Sequence, residues 1–297
     1  MFDFLPVARI GSAVTWFRSK IAKWRTPIGL SALVFVLCGT VWSFAQLNIA
    51  ITDLDLRYWL ILAVVISPLS LAYGAVGMLL AGRSAGTSMS FGTAWKINNY
   101  AQLAEALPLP GGAIVRTAGL VQAGVNTGRS AALVLAGAGL WIALAASGAG
   151  LELAMRDHPA GAVIAVTGMF ASLASVGWLW RMAGPVNTGL TLMHRLFGLV
   201  LTTIRLQCAF AVVAVSLGLL DALPFAFAMI AGSAASIAPA GLGISEGLAA
   251  LVAPQMAMAP AAAFLAVAVN RLTGIAVSAA LTLPDHFEKP RHNGAKA

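Results

Sequence analysis

The chain has little charge: 18 Lys and Arg and 10 Asp and Glu make up only 9% of its 297 residues, while 60% are apolar even before its 30 glycines are counted. Soluble domains average about 25% charged residues, so a globule of this length could not be given a hydrated surface, and the chain is read as an integral membrane protein. Cysteine is also scarce. Cys38 and Cys208 both fall inside apolar runs, which excludes a disulfide framework and a CxxC metal or redox site. There is no HExxH, no Walker sequence and no clustered acidic motif, so ATP-driven transport by this chain alone is excluded and neither metal nor cofactor is expected. The net charge of +8 would suggest nucleic acid in a soluble protein, but here its placement along the chain reads as topology.

A bilayer core of about 30 Å needs about 20 apolar helical residues. Stretches without Asp, Glu, Lys or Arg run over 26–52, 58–82, 130–151, 158–180, 222–245 and 247–270, and a seventh, 196–220, is interrupted only by Arg205. Before them, Val7, Ile10, Val14, Phe17, Ile21 and Trp24 recur at steps of three and four among Arg9, Arg18, Lys20 and Lys23. Residues 1–25 are thus either a basic amphipathic helix on an anionic membrane surface or a topogenic charged flank. The apolar segment begins late, at Ile28, and is long enough to span, which argues against a cleaved signal peptide.

With that tail in the cytoplasm, Asp53, Asp55 and Arg57 lie outside, Arg83 and Arg129 inside, Arg156, Asp157 and His158 outside, and Arg181 and Arg195 in an inside loop. Residues 285–297 form a cytoplasmic tail carrying Lys289, Arg291 and Lys296. Five basic residues before residue 26, the four loop arginines just named and three in the tail lie inside, against Arg57 and Arg156 outside, as the positive-inside rule requires. The count holds only if 91–126 and 222–258 each enter and leave on one side.

Both regions are broken at the middle. The first reads Leu107-Pro108-Leu109-Pro110-Gly111-Gly112, with Arg116 six residues after Pro110; the second reads Pro239-Ala240-Gly241-Leu242-Gly243-Ile244-Ser245-Glu246-Gly247, with Glu246 seven residues after Pro239. Interrupted segments at corresponding places in two halves of opposite topology point to a midplane site, and non-helical backbone at that depth must be buried in protein or line a wet cavity. The helix after each break presents free N–H groups and a positive dipole end, which attract phosphate or carboxylate. The expected fold is all-α: a polytopic membrane helix bundle, a single transmembrane domain over 26–284, with inverted halves near 58–154 and 196–283 and a re-entrant helical hairpin in each. The simpler reading keeps both breaks as Pro-kinked ordinary spans.

The segments LPLPGGAIVRTAGL (107–120) and IAPAGLGISEGLAALV (237–252), with Asn270-Arg271 in the last span, resemble the lysylphosphatidylglycerol synthase transmembrane-region family, also called flippase-like domain proteins, over roughly residues 28–283. Where that family usually carries Gly-Glu before the first-motif arginine this chain has Ala113-Ile114, and where a Glu-Arg pair usually follows it has Leu140-Trp141, which marks a distant branch. The resemblance implies a non-enzymatic, multi-pass protein of the bacterial inner membrane that moves an anionic phospholipid or lipid-linked precursor between leaflets. Some relatives carry a fused soluble aminoacyltransferase; with 14 residues after Leu283, none is expected here.

The ionisable residues left inside the membrane are Lys96, Glu105, Arg116, Arg205, Glu246 and Arg271, a class that marks cavities, pairs or ion paths. Arg271 follows Pro260 by 11 residues, about 16 Å into its span. A planar guanidinium suits bidentate phosphate binding, so Arg116 and Arg271, with Asn270 beside them, are the first candidates for headgroup contact. The backbone at Gly111, Gly112, Gly241 and Gly243, the Ser245 hydroxyl, and Lys96, Asn99 and Arg205 complete the expected substrate site with Glu246. Glu246 either pairs with one of these arginines to fix the halves or carries a coupling proton. Arg205 and Lys96 are expected to snorkel toward cytoplasmic headgroups. Asn98, Asn99, Gln102 and Glu105 form a polar stripe that lines the cavity or packs on other helices.

Gly243-Ile244-Ser245-Glu246-Gly247 also matches G-x-S-x-G, but a nucleophile elbow needs a strand-to-helix turn and a nearby histidine; His158, His194, His286 and His292 are all expected in loops or the tail. Glycine pairs such as Gly74/Gly77 and Gly137/Gly139 are expected to mark close helix packing. Two readings stand beside transport: a scaffold recruiting envelope-biosynthesis enzymes through the basic N-terminal segment, and an enzyme using a lipid-phosphate sugar donor, which the lack of a catalytic carboxylate pair disfavours.

Overall fold

The structure, a computed structural model, describes Ser31 and residues 33–105, 111–234 and 243–287, with side chains as far as Thr282. The basic segment 1–25, the two breaks over 106–110 and 235–242, Gly241 included, and the tail beyond Phe287 lie outside the described residues; the last helix takes in 285–287, the first three residues of the expected tail. Every described element is helical. Helix α1 spans Leu33–Leu47, α2 Leu56–Ala85, α3 Phe91–Glu105, α4 Gly111–Gln122, α5 Thr127–Met155, α6 Pro159–Val212, α7 Ala222–Ala234, α8 Ile244–Val252 and α9 Pro260–Phe287. Among the described residues four helices are long and apolar enough to cross a membrane: α2, α5, α6 and α9 as far as Thr282. The uncharged stretches 222–245 and 247–270 are not two continuous helices. The chain divides them into α7, α8 and a short 3₁₀ turn at Ala253–Met256 before α9 begins at Pro260.

Helix α6 corrects an expectation. Residues 181–195 are not a loop: one helical run of 54 residues extends from Pro159 to Val212, roughly 80 Å at 1.5 Å per residue and far longer than a bilayer core. It is two arms hinged at Gly184, where φ is 76° and ψ 170°. Proline forces the residue before it out of the α region, and glycine alone takes the positive φ without strain. The Gly184-Pro185 pair therefore turns the axis while helix resumes at once on either side. In α2, Pro68 has an analogous effect on a smaller scale: the turn Ile61–Ile66 ahead of it is a π-helix, whose wider winding accommodates a ring that would otherwise clash with the preceding turn.

Small residues set the closest approach. A Cβ at Gly150, Gly161 or Gly168 would collide with backbone at Ala165, Ala154 and Ser147 respectively, so α5 and the first arm of α6 lie against each other as an antiparallel pair with almost no side chain between them. At one end of the bundle, Arg129 Nη2 donates to the carbonyls of Ser84 (3.2 Å) and Met182 (3.3 Å), joining the ends of α2 and the first arm to the start of α5. At the other end, Asp55 N–H donates to Val212 O at 2.9 Å, and Arg156 bridges Glu152 at 2.8 Å and also Asp221 at the entry to α7. Arg83, Arg129 and Arg181 thus share one end, while Asp53, Asp55, Arg57, Arg156 and Asp221 share the other.

The hydrogen bond to Glu152 raises the Arg156 pKa, with burial acting against it. Arg156 is 36% exposed but Glu152 only 8%, so Arg156→Gln, which takes the guanidinium from a nearly buried carboxylate, should lower stability by about 1 to 3 kcal/mol. That difference should shrink in high salt, as read from thermal unfolding at two ionic strengths; a larger, salt-insensitive loss would contradict it.

Helices α3 and α4 form a hairpin. Its open end is closed by Thr87 Oγ1 donating to Ala123 O at 3.0 Å, beside the end of α2 where Thr87 N–H donates to Gly82 O at 3.0 Å. Helices α7 and α8 form another, tightened where Gly232 lies against the Ser245 backbone and Ser245 Oγ donates to Met229 O at 3.1 Å.

Candidate functional site

Helix α8 begins at Gly243, whose φ of 82° places it in the region that favours glycine. Its free N–H donates to Glu246 Oε2 at 2.7 Å, so the carboxylate three residues on closes the helix start. Glu246 is 0% exposed. The same Oε2 stands 3.7 Å from Arg271 Nη1. Oε1 has no hydrogen-bond partner among the described residues. An ionised carboxylate in this position depends on that one N–H and one guanidinium for all its compensation.

One residue before Arg271, Asn270 is equally buried and touches two further helices. Its Oδ1 accepts from Arg205 Nε at 3.2 Å, and its Nδ2 donates to Met229 Sδ at 3.0 Å. Gly274, one turn along α9, leaves room for the Arg205 guanidinium. The expectation that Arg205 snorkels to the interface is corrected: it turns into the bundle and is held by Asn270. Among the described residues no carboxylate lies within ion-pair distance of Arg205.

Arg116 sits apart from the Arg271 pair by a different bond. It bridges Glu105 at 2.8 Å across the α3–α4 hairpin, both groups partly exposed, and Glu105 is also within electrostatic reach of Arg271. Among the described residues of this cluster, Arg116, Arg205 and Arg271 outnumber Glu105 and Glu246 by one cation. Gly111 and Gly112 are packing residues here: a Cβ on either would meet Ala104 or Glu105, so the glycines bring α4 onto α3 and hold Glu105 facing Arg116. Ser245 is fully buried and spent on Met229 O.

The α3 stripe divides. Asn98 packs rather than lines a cavity: Nδ2 donates to Leu71 O at 3.1 Å, and Gly74 gives it space. Asn99 is buried, its backbone carbonyl accepting from Ser278 Oγ at 3.4 Å, while its Oδ1 has no hydrogen-bond partner. Lys96 is exposed on the same helix.

Sequence reasoning missed a second polar cluster. His194, expected in a loop, lies in the second arm of α6, its ring stacked on Tyr73 with centroids 3.9 Å apart. The Arg195 guanidinium lies over Trp141 at 5.6 Å from the ring centroid. His194 Nε2 and Arg195 Nε are buried without hydrogen-bond partners among the described residues, while the Tyr73 hydroxyl lies within reach of the Arg195 guanidinium; Tyr73 Oη and His194 Nε2 rest against Gly198 and Gly77, and Arg195 lies beside Gly137. The signal was present: Val186, Leu190, Met193, Phe197, Val200 and Ile204, all exposed, run at alternating steps of four and three straight through the supposed loop. Because the Arg195 guanidinium acts on the buried Tyr73 hydroxyl as a hydrogen-bond donor, Tyr73→Phe should lower stability by about 1 kcal/mol, measured by thermal unfolding in detergent; an unchanged or raised unfolding temperature would mean the hydroxyl has no partner.

No family model matches the chain, and a search of curated proteins finds no match.

Proposed function

We propose that the protein is an inner-membrane lipid translocator that passes an anionic phospholipid, or a lipid-linked precursor, between leaflets, with its headgroup received at Arg271 and Arg205. The observation that carries this reading is the convergence of two buried guanidinium groups on Asn270 and Glu246, from α6, α8 and α9, with Met229 of α7 completing the ring of contacts. Intramembrane cations without a full complement of acids favour an incoming anion, and two planar forks suit a phosphate.

In this reading the α3–α4 and α7–α8 hairpins are re-entrant and belong to inverted halves. Their lengths support it: 15, 12, 13 and 9 residues, roughly 22, 18, 20 and 14 Å, all short of a bilayer core of about 30 Å. So does the Thr87–Ala123 contact, which joins entry and exit of the first hairpin. The basic loops at the Arg129 end then face the cytoplasm. The motifs that resemble the flippase-like domain family fall on these same hairpins, and the chain is placed by this reading as a distant branch of it.

The test is a leaflet-resolved assay with fluorescent phosphatidylglycerol in proteoliposomes. Wild-type protein should move the lipid, and Arg271→Gln and Arg205→Gln should each reduce the rate by roughly tenfold or more, a loss of about 1.4 kcal/mol in transition-state stabilisation. Equal rates in empty and protein-containing vesicles, across phosphatidylglycerol and other anionic lipids, would reject the reading.

A further inference from the structure

On the side of α8 away from Glu246 a groove of about 330 Å³ runs between three helices, within the ~300–1,000 Å³ common for small-molecule sites. Phe35, Cys38 and Trp42 of α1, Gly247 and Ala250 of α8 and Phe264 of α9 line it. It holds no charged group. Phe35 and Phe264 meet at one end with centroids 5.9 Å apart, and Phe35 also rests on Gly243, the residue whose N–H holds Glu246. Glu246 and Gly247 are consecutive on a helix and so point about 100° apart: one faces the Arg271 cluster and the other faces the groove. The surrounding surface is apolar and outward-facing, with Val34, Leu37 and Val41 of α1 and Leu251 of α8 all more than half exposed.

We propose that this groove seats an acyl chain of the anionic glycerophospholipid whose headgroup binds at Arg271 and Arg205, so that α8 separates head from tail. The proposal rests on the translocator reading. Three features favour that occupant: the lining carries no charge, the excess cation lies across a single helix, and the groove is continuous with a surface that already faces hydrocarbon. Gly247 is the opening through which the chain lies close to the α8 axis, since a Cβ there would have only Phe35 Cζ near it, at 4.0 Å. Cys38 provides a chemical handle, being exposed while Cys208 is partly buried.

The experiment reconstitutes the full chain in phosphatidylcholine vesicles containing phosphatidylglycerol with a diazirine in one acyl chain, and maps the photolabelled peptides. Labelling should concentrate on α1, α8 and the first turns of α9. Gly247→Leu, which fills the groove, should reduce it there roughly tenfold, equivalent to about 1.4 kcal/mol. Alkylating Cys38 on the already folded protein, with Cys208→Ser as background, should do the same without any demand on folding. Labelling spread evenly over the lipid-facing helices, or unchanged after either block, would overturn the proposal; so would Cys38–Cys38 cross-linking between copies, which would give the groove to a second chain. Translocation is measured in the same vesicles. If the blocked protein still carries phosphatidylglycerol at the wild-type rate, the tail site fails and the translocator reading survives. If groove labelling is specific but Arg271→Gln leaves both translocation and the preference over a phosphatidylcholine probe unchanged, the groove stands and the headgroup reading fails.

Discussion

Arg271→Ala should destabilise the protein by about 3 to 5 kcal/mol, the range for breaking a buried ion pair by deleting one partner. Glu246 is fully buried and its Oε1 has no partner, so the variant leaves a carboxylate held only by the Gly243 N–H. Replacing both partners with methionine should recover most of the stability, since apolar residues of similar size often equal a buried pair. The remaining deficit, about 1 kcal/mol, is that of an unclosed helix start at Gly243. The double variant should nevertheless move no lipid. Thermal unfolding in detergent, run beside the vesicle assay, checks both parts: a double variant no more stable than Arg271→Ala contradicts the energetic argument, and one that transports normally contradicts the role of the pair.

Gly150→Leu should be as damaging for a different reason. Overpacking a close-packed interior typically costs about 1 to 3 kcal/mol, and here the new Cβ meets the Ala165 backbone, which no rotamer change can move aside. The α5–α6 contact must open along its length, because Gly161 and Gly168 repeat the same approach. The expected result is a loss at or above that range, seen as a collapse in the yield of monodisperse protein and a lowered unfolding temperature. Gly139→Ala is the matched control. A Cβ there would stand 3.6 Å from Ser175 Oγ, ordinary contact, and alanine favours helix over glycine by up to about 1 kcal/mol, so this variant should be neutral or slightly stabilised. If the two variants behave alike, the close approach does not hold the pair together.

How far the sequence reaches differs from residue to residue. Arg271 was placed near mid-span from its distance to Pro260 alone, and the structure puts it on α9 with its side chain 9% exposed. A helix rises by a fixed step, so depth follows from counting. His194 and Arg195 failed for a local reason: Gly184-Pro185 followed by two basic residues looks like a loop, and only the exposed stripe from Val186 to Ile204 shows that helix continues. Arg205 failed for a non-local one. Its long stem permits snorkelling as readily as burial, and the deciding partner, Asn270, is 65 residues away.

Composition by itself pointed to a helical membrane protein, because so few charges cannot hydrate a globule and apolar runs of span length must satisfy their backbone internally, and four of the described helices are long and apolar enough to cross a membrane. Spacing alone put helix starts shortly before Arg116 and Glu246, where α4 begins at Gly111 and α8 at Ile244. Which charges meet was decided only by tertiary structure: Arg116 with Glu105, Arg271 with Glu246, Arg205 with Asn270, and Tyr73 on His194 across the Gly77 and Gly198 notches. Pairing depends on which helix faces are brought within a few ångströms of each other, and periodicity along one helix has no access to the rotation or height of the next.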